Sequence, residues 1–175
     1  MEAENELTGE LAVDLANTLR PAGDGSVVDL LADEDGRARW LRGTGGPEAV
    51  GPSQLAALRD HVRALLAAAI SRRTLPPAAV SAVNRASATA PEFAQLEAGE
   101  LVIRYHASPA DAFLADIATS AIGLVGGPER VRLRRCEAPG CGRWLLASRP
   151  RQTWCSPGCG NRARLARFHQ RRRVA

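Results

Sequence analysis

Apolar side chains recur along this chain at two spacings, and where the spacing changes an element ends. In residues 9–20, GELAVDLANTLR, Leu11, Leu15 and Leu19 stand four apart and predict one helical stripe. A glycine break at Gly23–Gly25 follows. Val27 to Leu31 and Glu34 to Leu41 then read as one or two short helices around Trp40, and Gly43, Gly45, Gly46, Pro47 and Gly51 mark a loop from Arg42 to Pro52. The clearest helix opens with a cap at Ser53 and runs to about Arg72, with Leu55, Leu58, Val62, Leu65, Leu66 and Ile70 on its buried face. Another starts with proline in its first turn, from Pro77 to about Ala88.

The period then falls to two. Leu101, Ile103 and Tyr105 alternate with Val102, Arg104 and His106, which predicts a hairpin turning near Ala98-Gly99. Helix returns from Pro109 to about Val125, with Phe113, Ile117, Ile122 and Leu124 as core candidates, and Gly126-Gly127-Pro128 ends it. VRLRR, residues 131–135, reads as a strand available to the hairpin, which would tie the two parts of the chain together. CEAPGCGRWLLAS reads as a knuckle and strand, followed by an arginine-rich loop and a helix from about Ser156 or Gly160 to Arg172. The expected organisation is a mainly α domain with a small β-hairpin (α+β) over residues 1–128, then a compact cysteine-bearing module over 129–175.

Charge sharpens that division. All 23 basic residues are arginine. Residues 1–130 carry 11 arginines against 18 acidic residues, a net of −7; residues 131–175 carry 12 against Glu137 alone, a net of +11. Such a split points to a basic module that meets a polyanion, the alternative being that it folds back on its own acidic body. The absence of lysine excludes a Walker-type phosphate loop and Schiff-base chemistry, both of which need an ammonium group. The acidic opening MEAENELTGE lacks the cationic-then-apolar pattern of a signal peptide, and no uncharged apolar run approaches the roughly 18 residues of a membrane span. A cytoplasmic protein without membrane contact is expected.

In a reducing compartment, clustered thiols point to metal. Cys136, Cys141, Cys155 and Cys159 follow the spacing C-x4-C-x13-C-x3-C, two short pairs of the kind that close a tetrahedral zinc site. Four sulfurs fill the coordination shell, so one Zn2+ would be structural, with no open position for a catalytic water. Thiolates of the second pair would sit where a helix begins, near its positive end. There is no HExxH, no GxSxG and no convincing carboxylate pair, so no enzyme is expected.

The residues CEAPGCGRWLL…WCSPGCGNRAR resemble the CGNR zinc finger, whose name is spelled by Cys159-Gly160-Asn161-Arg162. The opening LAVDLANTL, with Asp14, Asn17 and Thr18, resembles the start of the ABATE domain that precedes this finger in a bacterial family. The resemblance implies a treble-clef-like four-cysteine finger and a stress-induced transcriptional regulator that binds DNA. The loop LLASRPRQTW is shorter than is usual in similar proteins and lacks their acidic residue, and the second cysteine pair is one residue tighter.

The last helix carries the candidate contacts. At about 100° per residue, Asn161, Leu165 and Phe168 share one face and are expected to pack on the zinc core. Arg164, Arg167 and Arg171 form an adjacent stripe, with Arg162, Arg172 and Arg173 beyond it and Arg149 and Arg151 in the preceding loop. These offer guanidinium groups to phosphates or guanine edges of duplex DNA. Two alternatives remain: an RNA-binding module, or an adaptor whose zinc merely builds a protein-docking surface. Trp144 and Trp154 flank ligands as expected core of the knuckle. His61, His106 and His169 read as ordinary surface or boundary residues. Asp14, Asn17 and Thr18 read either as helix caps or as the lining of a pocket for a small-molecule effector; the body is also a candidate for homodimerisation.

Overall fold

The computed structural model describes residues 7–22 and 26–174; the acidic opening at 1–6 and the glycine break at Gly23–Gly25 lie outside them. The first helix, α1, spans Leu11–Ala16, shorter than its stripe predicts. Thr18 Oγ1 donates to Leu15 O at 2.7 Å, and Arg63 Nη1 donates to both Ala16 O and Leu19 O at 2.6 Å. The last carbonyls thus find partners off the helix axis, and Leu19 enters a strand instead. That strand, β1 (Leu19–Pro21), pairs antiparallel with β2 (Val27–Asp29), with Leu19 opposite Asp29. The sequence pattern places helix at Val27–Leu31; the β-branched pair Val27-Val28 takes the strand.

Asp33 caps α2 (Glu34–Thr44) by accepting from Gly36 N. The long α3 spans Pro52–Ile70, and its cap lies two residues before the expected Ser53: Gly51 is the N-cap and Pro52 takes the first helical position. Gln54 Oε1 accepts from Gly51 N at 3.1 Å and closes that end. Next come α4 (Pro77–Ala88) and the hairpin β3 (Glu92–Glu97) and β4 (Glu100–Tyr105), turning through Ala98 and Gly99 at positive φ. Tyr105 Oη donates to Asp116 Oδ1 at 2.8 Å, so the hairpin is pinned to the following helix at its base while Leu96 and Leu101 project outward.

That helix, α5 (Pro109–Gly126), is the centre of the body, with α1, α3 and α4 packed around it. By length and composition it is apolar enough to cross a bilayer, but Phe113, Ile117, Ala118, Ala121, Leu124 and Val125 are spent on the core. Ile122 was a core candidate and is 40% exposed. It lies about 100° beyond Ala121, off the side that meets the other helices. Trp40 meets the Phe113 ring edge-on at 6.0 Å between centroids.

Beyond α5 a short 3-10 turn, Pro128–Arg132, leads into β5 (Leu133–Arg135). The VRLRR segment does not pair with the hairpin. It pairs within its own module, antiparallel to β6 (Trp144–Leu146), with Leu133 opposite Leu146. The module joins the body by burial instead: Leu133 and Trp144 lie in the same apolar cluster as Leu15, Leu66 and Ile117.

Candidate metal centre

Two backbone devices aim the first pair of sulfurs. Cys136 N donates to Arg143 O at 2.8 Å and Cys141 N donates to Ala138 O at 3.0 Å, which folds CEAPGCG back on itself. Gly140 and Gly142 both stand at positive φ, and the turn at Gly142 lets the Arg143 amide reach the Cys141 sulfur. The Ala138 amide does the same for Cys136. The second pair is set by the start of α6 (Pro157–Val174), where Ser156 Oγ accepts from Cys159 N at 3.2 Å. Cys155 N donates to Cys136 Sγ at 3.4 Å and stitches the pairs together.

All four Sγ atoms lie within 4.8 Å of one another. Cys141 and Cys155 are 3.6 Å apart and Cys155 and Cys159 3.5 Å, far from a disulfide bond of about 2.05 Å. A zinc tetrahedron with bonds of about 2.3 Å has sulfur–sulfur edges of about 3.8 Å, so the cluster has the size of the site. Electrostatics agree. The hydrogen bond from Cys155 pulls the Cys141 thiol down to about 4. The same contact, with burial, pushes Cys155 far up, and burial raises Cys136. A divalent cation supplies the charge that lets all four ionise together. The four cysteines fit one structural Zn2+; no histidine joins them, since His106 stacks on Phe93 and His169 lies edge-on to Phe168.

The tetrapeptide Cys159–Arg162 takes on physical meaning here. A Cβ on Gly160 would stand 3.0 Å from Cε3 of Trp154, so the glycine lets that ring lie flat on the helix start. Arg162 Nη2 donates to Cys159 Sγ at 3.4 Å. The expected packing face of α6 is wrong, however. Leu165 and Phe168 are each 53% exposed and Asn161 is exposed, while Ala163 and Ala166 pack inward. Small side chains face the zinc core because Trp154 already fills the space there.

On the unbroken helix α6, Arg164, Arg167 and Arg171 lie along one side, with Arg162 and Arg172 farther round. Arg167 lies over Trp154 at 5.8 Å and its Nε donates to Ala163 O. Arg164 leans toward Asn161 Oδ1, and Arg172 covers Phe168. Arg171 is exposed, as are Arg149 and Arg151 in the loop before Cys155. The side chain of Arg173 lies outside the described residues.

Trp154 is knuckle core, but Trp144 belongs to the body, with Arg135 over its ring at 4.7 Å. Its backbone is held by a residue the sequence suggests only as a cap or pocket lining. Asn17 Nδ2 donates to Trp144 O at 3.0 Å and Asn17 Oδ1 accepts from Trp144 N at 2.8 Å, both buried. Asn17 therefore pairs with β6 as a backbone amide would. Asp14 accepts from the amide and hydroxyl of Thr8, and Thr18 accepts from Arg59, so this trio is spent on holding structure.

The family model of ABATE, described as "Putative stress-induced transcription regulator", matches residues 9–128. That of the CGNR zinc finger matches residues 132–172. A search of curated proteins gives no match.

Proposed function

The chain belongs to the ABATE family and ends in a CGNR zinc finger, and from that premise we propose a regulator that holds duplex DNA through α6 and the loop before it. One observation carries the reading. Arg162, Arg164, Arg167, Arg171 and Arg172 of α6 form no ion pair among the described residues, whose salt bridges are Arg59–Asp29, Arg104–Glu97 and Arg132–Glu129. Among the described residues no carboxylate of the body pairs with these arginines, which leaves them for an external polyanion. Zinc, when bound, ties the four thiolates together and so fixes the start of α6 beside β6. In this reading the protein is a cytoplasmic binding protein, not an enzyme, and the helical body receives the signal.

Fluorescence anisotropy with a labelled duplex at several salt concentrations tests this. Binding should weaken steeply with salt, and Arg164→Ala with Arg171→Ala should lower the slope of log K against log [salt] by about two. These residues are chosen because neither packs on Trp154. An unchanged slope removes α6 from the interface. The exposed Leu165 and Phe168 favour a second reading, in which α6 docks on an acidic protein. Retention of an acidic protein partner, with no duplex binding, would select it.

A further inference from the structure

Between the β1–β2 ribbon and the cysteine cluster lies a cavity of about 290 Å³ walled by both parts of the chain. Arg20 comes from the body, Arg143 from the knuckle and Arg162 from α6; Pro21, Ala22 and Val28 form an apolar side, and Ser156 brings the start of α6 to the wall. Among the described residues five buried side-chain nitrogens lack an acceptor, and two of them, Arg20 Nη1 and Arg143 Nη2, belong to this one wall. A buried guanidinium donor without an acceptor is costly, and two like charges facing each other cost more. The thiolates do not discharge the debt, because the hydrogen bond from arginine to sulfur is made by Arg162. Nor does their charge balance the site. Zinc leaves a four-thiolate cluster with a formal charge of about −2, against three arginines and the roughly half charge of a helix N-terminus.

We propose that this seam is a binding site for a phosphate dianion, free or as a small monoester, held between Arg20 and Arg143. The volume lies at the small end of ligand pockets, and the fork of a guanidinium matches phosphate oxygens. The apolar side suits the carbon part of an ester. Because one arginine belongs to the body and two to the finger, such a ligand clamps the two together; it gives the regulatory reading a ligand class and stands or falls separately from DNA binding.

Calorimetry on the zinc-loaded full chain, without DNA, is the test, with inorganic phosphate and phenyl phosphate as probes. One equivalent should bind, and Arg20→Gln or Arg143→Gln should weaken it by roughly tenfold or more with zinc content unchanged. Tighter binding of phenyl phosphate identifies a phosphorylated organic ligand, and equal binding identifies the free ion. Ala22→Glu, which adds a carboxylate to the ribbon side of the wall, should abolish binding even if an arginine variant loses its metal. Absence of heat with both probes overturns the proposal, as does undiminished binding in Ala22→Glu. Weakened duplex binding in Arg20→Gln without any phosphate binding also overturns it and makes the seam part of the nucleic-acid surface.

Discussion

At the scale of single residues, most buried polar groups of the body serve the joints between elements. Arg59 is the clearest case. Its side chain is 5% exposed, and Nη1 and Nη2 grip the Asp29 carboxylate at 2.5 and 2.8 Å while Nη1 also reaches Thr18. One cation therefore joins α3 to β2 and to the end of α1. The hydrogen bonds from Arg59 hold the Asp29 carboxyl below its usual range. A lowered folded value means that its stabilisation is complete above the unfolded value of about 4 and drains away as pH falls through the folded value. Asp29→Asn should cost about 2–4 kcal/mol at neutral pH, since it leaves Arg59 buried against a neutral partner. Urea titrations of both proteins from pH 7 to 2 should show the gap closing in acid; a constant gap would exclude the ion pair as its source. Asp14 acts in the opposite sense, because burial raises its carboxyl.

At the scale of elements, the join between α1 and β6 is made by an amide imitating a strand. Asn17 meets both backbone groups of Trp144, which are buried and have no water to fall back on. Asn17→Ala leaves both unpaired, a cost of about 2–4 kcal/mol. In a chain of this size that corresponds to a fall in Tm of roughly 5–15 °C, readable by circular dichroism. Asn17→Asp, which keeps the acceptor for Trp144 N but loses the donor, should fall between the two. If alanine leaves Tm unchanged, β6 is held by the burial of Trp144 alone.

At the scale of the whole molecule, zinc acts on more than the finger. A short basic module has too little apolar surface to fold alone, and metal binding in such modules contributes on the order of 10–16 kcal/mol. Here Leu133 and Trp144 carry that linkage into the core shared with α1, α3 and α5. A strong chelator should therefore lower the melting midpoint of the entire chain, by roughly 10 °C or more, as well as reduce the helical signal of α6. Two separate transitions, with the body melting as before, would show that the core does not transmit the metal's contribution. Charge has the opposite distribution: among the described residues the arginines of α6 form no ion pair with a carboxylate of the body to which the helix is mechanically joined.

The chain alone settled whatever chemistry acts over a few residues. Paired thiols at fixed spacing dictate the metal, alternation and a glycine turn dictate the hairpin, and apolar residues three and four apart dictate α3. Tertiary structure decided everything that needs a distant partner. The sequence separation of 127 between Asn17 and Trp144 leaves no periodic signal. The inward face of α6 depends on the Trp154 ring occupying space that Leu165 and Phe168 would need. Val27–Asp29, β-branched at two positions, needed β1 as the partner that completes its strand. Valence and periodicity are properties of a segment; complementarity belongs to two surfaces that meet only once the chain has folded.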